Sequence, residues 1–276
     1  FDKKMGFIRK EQLPLCMNTS TIRFKVTDEK RLSIRYFMYY LKSNHFKEQL
    51  GQQITGSAQL NFGPSHLKKM VFPLIEMEEQ AKIIDKLDTI YDIEYKMRTE
   101  LKLYDQLASS LFIEMFGDPI SNSKKWTIKR LVELSILITN GTTPSGGSEN
   151  YIDSGVVFLR SQNVWKNRID LEDTVYISSS LHKIMNKSRV IYNDILITKT
   201  GRINTENSSL GRAAIYKEKN KEANINGHVY LIRLKDTVNP EYILSILTGE
   251  AYREYIRRVC VGGIDKRQIN LNHVED

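Results

Sequence analysis

The chain has 276 residues, 41 Lys and Arg against 33 Asp and Glu, a formal charge of +8 and a pI near 9.2. With 41% hydrophobic and 27% charged residues it can build ordinary cores, and its length predicts two domains rather than one. No stretch approaches the roughly 20 apolar residues of a membrane-spanning helix, and two cysteines (Cys16 and Cys260) exclude a disulfide framework or a four-thiolate zinc site and predict a reducing cytoplasm.

The first residues, Phe1-Asp-Lys-Lys-Met-Gly, lack an initiator Met and an apolar leader, so residue 1 is expected not to be the natural beginning. Ile22, Phe24 and Val26 then alternate with Arg23 and Lys25, which predicts a strand. Arg35–Leu50 reads as a helix with Tyr36, Phe37, Tyr40 and Leu41 on one face. From Glu76 to Phe116, apolar residues recur in steps of four and three: Ile83, Leu87, Ile90, then Met97, Leu101, Tyr104, Ala108, Leu111 and Met115. Only Glu94 interrupts that seam, and no Gly or Pro appears before Gly117 and Pro119. A continuous helix there would be roughly 60 Å long. Its stripe is narrow, so it requires a second long helix alongside, as in a coiled coil. Glu94 would then meet a partner charge or fix the register.

Beyond this helix, Trp126–Leu134 predicts a strand leading into a short helix, and Val156–Leu159 and Asp194–Thr198 predict short buried strands. Polar loops separate them, Asn140-Gly-Thr-Thr-Pro-Ser-Gly-Gly-Ser and the run from Thr200 to Arg212. Charge is unevenly spread: Glu76–Phe116 holds ten acids and five bases, leaving +13 for the remainder. A basic excess confined to the flanks fits a polyanion such as nucleic acid.

An internal repeat organises the whole. Asn18–Asp28 matches Asn226–Asp236, with Tyr230, Ile232 and Leu234 in the alternating places. Tyr36-Phe-Met-Tyr-Tyr-Leu recurs as Tyr242-Ile-Leu-Ser-Ile-Leu, Phe46-Lys-Glu as Tyr252-Arg-Glu, Gln59-Leu-Asn as Gln268-Ile-Asn and His66-Leu as His273-Val. The first copy runs on into Val71-Phe-Pro-Leu-Ile-Glu-Met-Glu-Glu-Gln and the long helix, whereas the second stops near the matching point. The expected fold class is α+β, globular α/β domains on a long coiled-coil-type helix. The expected divisions are 1–75, the back part of a first globular domain; 76–116, the spacer helix; and 117–276, most of a second.

These residues resemble the specificity (S) subunit of type I restriction-modification enzymes over essentially the whole length. Val71–Asp88 looks like the family's Pro-Leu and Glu-Gln step into a conserved helix, and Leu111-Phe-Ile-Glu-Met-Phe-Gly-Asp-Pro like its exit. Trp126 with Leu131, Gly141-Thr-Thr-Pro-Ser, Tyr151, Gly155 and Phe158-Leu-Arg look like the opening of a target recognition domain, and Asp194–Gly201 and Gly211–Ile215 like its middle. The resemblance implies two such domains held apart by paired antiparallel helices, with methyltransferase subunits on the helices and, through them, restriction subunits. By this pattern the chain is truncated, lacking part of the first domain and the second helix.

A reader of duplex DNA positions itself by phosphate contacts and reads base edges with Arg, Lys, Asn and Gln from loops. The loops supply Thr142, Thr143, Ser145, Arg160, Gln162, Asn163, Lys166, Lys199, Arg202, Asn204, Arg212, Lys266, Arg267 and Gln268 as candidates. Gly201, Gly211, Gly262 and Gly263 are candidates for close approach to phosphate. Helix pairing, including self-association, falls to Ile83, Leu87, Ile90, Met97, Leu101, Tyr104 and Leu111. Signals for catalysis are weak. The Gly141 loop lacks the Gly-Lys-Ser/Thr of a phosphate loop, and the five histidines (His45, His66, His182, His228, His273) lack metal-ligand spacing. No methyl-donor fingerprint is present. The reading is a non-enzymatic, cytoplasmic subunit for sequence-specific double-stranded DNA recognition, with no cofactor or metal of its own. S-adenosylmethionine, ATP and Mg are expected on partner subunits. The alternatives are a coiled-coil interaction scaffold or a truncated S-like fragment without independent sequence-specific DNA binding, and a nuclease or methyltransferase with an unrecognised motif.

Overall fold

The computed structural model describes residues 5–19, 21–53, 63–203, 208–263 and 266–275. The chain divides into two compact units, Phe1–Tyr104 and Asp105–Asp276.

In the first unit, α1 (Ile34–Lys42) and α2 (Asn44–Gln53) replace the single helix expected from Arg35 to Leu50. Ser43 makes the break: its backbone is extended, and its hydroxyl accepts the Phe46 N–H at 3.2 Å, satisfying one of the donors at the start of α2. Tyr36, Tyr40, Leu41, Phe46 and Leu50 are buried, with Phe37, Leu67, Met70 and Phe72 packed on them. Phe72 follows the short α3 (Pro64–Leu67) and presents its ring to Tyr40 at 4.7 Å and to Phe37 at 5.3 Å. Backbone polar groups fix the same segment. Tyr40 Oη donates to the Val71 carbonyl at 2.8 Å, while the Gln49 amide accepts the Val71 N–H and donates to its carbonyl.

The expected strand at Ile22–Val26 does not form. No described segment pairs with it, and an extended segment without a ladder partner leaves its backbone groups to water. Phe24 instead stands edge-on to Phe37, with ring centroids 5.3 Å apart. The repeat element Gln59-Leu-Asn lies outside the described residues.

The long helix is confirmed as α4 (Met77–Phe116), 40 residues, about 60 Å at 1.5 Å per residue. Gln80 fixes its start, with no exposure to water. The Gln80 side chain accepts the Ser33 N–H at 2.9 Å and donates to the carbonyls of Arg31 and Ile75 at 2.8 Å. Arg35 pairs with Asp88 at 2.6 Å, and Tyr39 donates to the same carboxylate.

In the second unit, Trp126–Arg130 is not a strand. The Asn122 side chain accepts the Trp126 N–H and donates to its carbonyl, both at 2.8 Å, taking the groups a ladder would use. The short helix follows as α5 (Leu131–Leu134), leading into β1 (Ser135–Asn140). Then come β2 (Val156–Leu159), the hairpin β3 (Val164–Trp165) and β4 (Arg168–Ile169), β5 (Val175–Ile177), α6 (Ser179–Ile184) and β6 (Arg189–Val190). Next are β7 (Ile195–Thr198), β8 (Thr200–Gly201), β9 (Ala213–Ile215), β10 (Ala223–Ile225) and β11 (Val229–Leu234). The last elements are α7 (Pro240–Thr248), α8 (Glu250–Val259), β12 (Val261–Gly262), β13 (Arg267–Gln268) and α9 (Asn272–Glu275).

Two four-stranded sheets, ordered β1-β11-β7-β9 and β5-β2-β10-β6, carry the unit. Only β2 and β10 run parallel among the pairs in these sheets. Successive side chains of a strand point to opposite faces. Ile195, Ile197, Tyr230 and Ile232 therefore pack under α7 and α8, while Leu196, Val229 and Leu231 pack with Val157, Leu159, Ala223 and Ile225 of the second sheet. Both faces of the first sheet are covered, which is why β7 is a continuous apolar run rather than an alternating one. Mixed helix and sheet with one long helix is the α+β architecture expected from the sequence.

Candidate nucleic-acid interface

The candidate residues of the second unit fall into three places. At the first, β8, β13 and β12 form a small three-stranded sheet at the end of β7. The Lys199 N–H donates to the His228 carbonyl at 2.8 Å, and the Ile269 N–H to the Lys199 carbonyl at 3.0 Å. Tyr230 Oη donates to the Ile269 carbonyl at 2.8 Å, and Lys199 Nζ lies 5.5 Å from the Tyr230 ring. These bonds bring Lys199, Thr200, Lys266, Gln268 and the His228 imidazole to one patch. Burial, then the charges of Lys266 and Lys199, hold the His228 pKa below the usual histidine value. Lys266 and Gln268 are exposed; Arg267 is half-buried and donates to the Cys260 carbonyl at 3.3 Å.

The loop after β1 adjoins this patch. Gly141 packs so tightly on the 225–226 backbone that a Cβ would collide with both carbonyl oxygens. The Thr142 N–H donates to the Ile225 carbonyl at 3.2 Å, and Thr143 Oγ1 accepts the Gly227 N–H at 3.3 Å, one residue before His228. Ser145 gives its carbonyl to the Asn150 amide at 2.7 Å, leaving its side chain exposed beside those of Thr142 and Thr143.

A second basic group lies along α8. Arg202, Arg253 and Arg257 line one shallow groove with Ile256. Arg212 stacks its guanidinium on the Trp165 ring at 4.0 Å and donates to the Ser208 carbonyl at 2.9 Å. Burial and the nearby charge of Arg253 lower the Arg212 pKa. Asn204 lies outside the described residues.

The third place is structural in character. Asn163 is 1% exposed: its Oδ1 accepts the Arg160 N–H at 2.9 Å, and its amide donates to the Asp170 and Asp173 carbonyls. Gln162 donates to the Asp173 carboxylate at 2.6 Å, and Arg160 to the Asp173 carbonyl at 2.7 Å. These bonds close the β2–β5 connection, with Asn163 buried inside it and Gln162 exposed at its surface. Lys166 is exposed and 3.3 Å from Asp105. Gly201 and Gly211 are likewise internal, since a Cβ would meet the Leu210 backbone or Ile256, whereas Gly263 has open space.

Sequence reasoning missed two residues. His228 was set aside with the scattered histidines, and Arg253 stood only as part of a repeated Tyr-Arg-Glu step. Neither carries a local motif: the register of β11 beside β7 brings His228 to Lys199, and α8 brings Arg253 beside Arg202.

On α4, Ile83 and Leu87 are half-buried, but the seam beyond them is open: Ile90, Met97, Leu101 and Tyr104 are 59%, 60%, 66% and 59% exposed, and Leu111 is exposed too. Glu94 pairs with Arg98 one turn on, at 2.8 Å. Among the described residues no group of three or more His, Cys, Asp or Glu could hold a metal, and no helix is long and apolar enough to cross a membrane.

The family model described as "Type I restriction modification DNA specificity domain" matches residues 5–103. Over that stretch the chain is similar to this family. No curated protein matches the sequence. Among solved structures, a chain from work on complex assembly and conformational transition of the type I R-M system is similar at 16% identity and a TM-score of 0.45. The match covers 87% of this chain and 57% of that one. The HsdS subunit of Thermoanaerobacter tengcongensis is similar at 15% identity, TM-score 0.39, covering 88% and 56%. The type I S subunit of M. genitalium is similar at 14%, TM-score 0.44, covering 89% and 63%. The chain therefore spans less than two thirds of the length of these three.

Proposed function

We propose that the chain is a specificity subunit that recognises a double-stranded DNA sequence and directs adenine methylation and restriction by partner subunits. The match of residues 5–103 to the DNA specificity domain carries this reading. The second unit supports it from its own chemistry: Lys199 and Lys266 form a positive patch around the His228 imidazole, with Thr142, Thr143 and Gln268 as neutral hydrogen-bonding groups beside it. Lysines supply phosphate contacts, and the neutral side chains can discriminate base edges. In this reading the chain is cytoplasmic and non-catalytic, and S-adenosylmethionine, ATP and Mg belong to methyltransferase and restriction partners. The open seam of α4 pairs with a second long helix, from a partner or another copy of the chain. Residues 1–75 and 117–276 act as recognition domains, with 76–116 as their spacer. Selection from a randomised duplex pool, with and without methyltransferase subunits, tests the reading: enrichment of one sequence supports it, and retention of duplexes without sequence preference refutes it.

A further inference from the structure

The small sheet at the end of β7 has two unlike faces. Residues directly opposite each other on neighbouring antiparallel strands share a face. Val261 stands opposite Gln268, and Gln268 opposite Thr200, so Thr200, Gln268 and Val261 form one row across β8, β13 and β12. Gly201, Arg267 and Gly262 form the next row, on the other face. That second row faces inward: Arg267 is half-buried and donates to the Cys260 carbonyl, and a Cβ on Gly201 would collide with the Leu210 backbone. The first row faces outward, with Gln268 exposed and Val261 44% exposed.

The backbone of this row is fixed and its side chains are free. β13 is paired on both edges, the Ile269 N–H donates to the Lys199 carbonyl, and Tyr230 Oη donates to the Ile269 carbonyl. Gln162, Asn163 and Asn226 are each bonded within their own turns, whereas the Gln268 amide makes no hydrogen bond among the described residues. An exposed valine alone is ordinary. Here it stands beside an uncommitted amide and a threonine hydroxyl, three neutral groups in register. Lys199 precedes Thr200 and Lys266 precedes Arg267, so with antiparallel strands the two lysines flank the row at opposite ends. Neutral readers between two cations complement a duplex, whose phosphates border the groove that holds the base edges.

We propose that the Thr200–Gln268–Val261 row enters the major groove and selects an A·T pair. The groove admits a β-ribbon, and a glutamine amide there donates to adenine N7 and accepts from the adenine amino group. Val261 packs on a thymine methyl at that pair or the adjacent one, an apolar contact that no other natural base offers in the groove. The inference rests on the DNA-recognition reading and deepens it, naming the side chains that choose a base and the pair they choose.

The test uses the full chain with methyltransferase subunits and a randomised duplex library. The natural chain should enrich a sequence containing an A·T pair at which Gln268→Ala reduces the preference by about tenfold. The preferences at other positions should stay, and the salt dependence should not change, because no phosphate contact is lost. Replacing thymine by deoxyuridine at or beside that pair removes only the methyl group. It should weaken the natural chain by a few fold and leave Val261→Ala indifferent; the measurement on the natural chain requires no variant to fold. Three outcomes overturn the inference while leaving DNA recognition intact: Gln268→Ala keeps every preference, it changes the preference at a G·C pair, or deoxyuridine has no effect on the natural chain. A natural chain that enriches no sequence overturns the recognition reading itself.

Discussion

Arg233 grips Asp194 with two parallel hydrogen bonds, Nε to Oδ1 at 2.9 Å and Nη2 to Oδ2 at 2.8 Å, and the carboxylate also accepts the Ile191 N–H at 2.8 Å. The pair ties β11 to the entry of β7 inside the sheet that carries the candidate interface. Burial pushes the Asp194 pKa up, and Arg233 pulls it back. Arg233→Met would leave a buried carboxylate without its counter-charge, at a cost of about 3 kcal/mol near neutral pH. A carboxyl whose folded pKa is raised gives stability that is full below its unfolded value and lost as pH rises through the folded value. The penalty should therefore shrink as pH falls and Asp194 takes up a proton. Urea unfolding of both proteins at neutral and acidic pH measures it; a penalty that does not change with pH would contradict this account.

The patch at Lys199, Lys266 and His228 predicts a salt and a pH signature. Removing one phosphate contact, by Lys199→Ala or Lys266→Ala, should weaken DNA binding for all sequences and reduce the slope of log affinity against log salt by about 1. The His228 pKa is lowered in the free protein by burial and by the two lysines. Phosphate brought to the patch would oppose those lysine charges and raise it. Binding then takes up a proton, so affinity should rise as pH falls from about 8 to 6, and His228→Gln should flatten that rise. Fluorescence anisotropy across pH and salt reads both effects.

Asn163 gives the opposite pattern. Its three hydrogen bonds close a buried turn, so Asn163→Ala should cost about 1–3 kcal/mol of stability. The selected DNA sequence should not change. Thermal unfolding together with selection from a duplex pool separates stability from specificity.

Much of the fold was legible because period and punctuation are local. The seam of α4, the buried runs Val156–Leu159 and Asp194–Thr198, and the helix that recurs in both copies were readable from spacing, whereas the break at Ser43 that makes the first a pair was not. The misses were non-local. Ile22–Val26 has a strand's alternation but no described partner, and Trp126 has its backbone groups taken by Asn122. The candidate site was half legible. Polar residues in Gly-containing loops marked Thr143, Lys199, Lys266 and Gln268. The same rule also chose Asn163, because composition cannot distinguish an amide that closes its own turn from one held out to solvent. His228 reaches the site only through the register that sets β11 beside β7.

The open seam of α4 makes its own prediction. Charges placed there, as in a Met97→Lys and Leu101→Lys double variant, should leave the fold intact, since both positions are exposed. The variant should abolish pairing with a methyltransferase partner or another copy of the chain. Sedimentation velocity at tens of micromolar (about the concentration at which weak helix pairing populates) should show an assembly for the natural chain and a monomer for the variant.

The central claim is sequence-specific recognition of DNA, and selection from a randomised duplex library in moderate salt, with methyltransferase subunits present, tests it most directly. The account predicts that one sequence is enriched, and that Lys199→Ala and Lys266→Ala lower its yield without altering its identity. Retention of the library with no sequence enriched would contradict it.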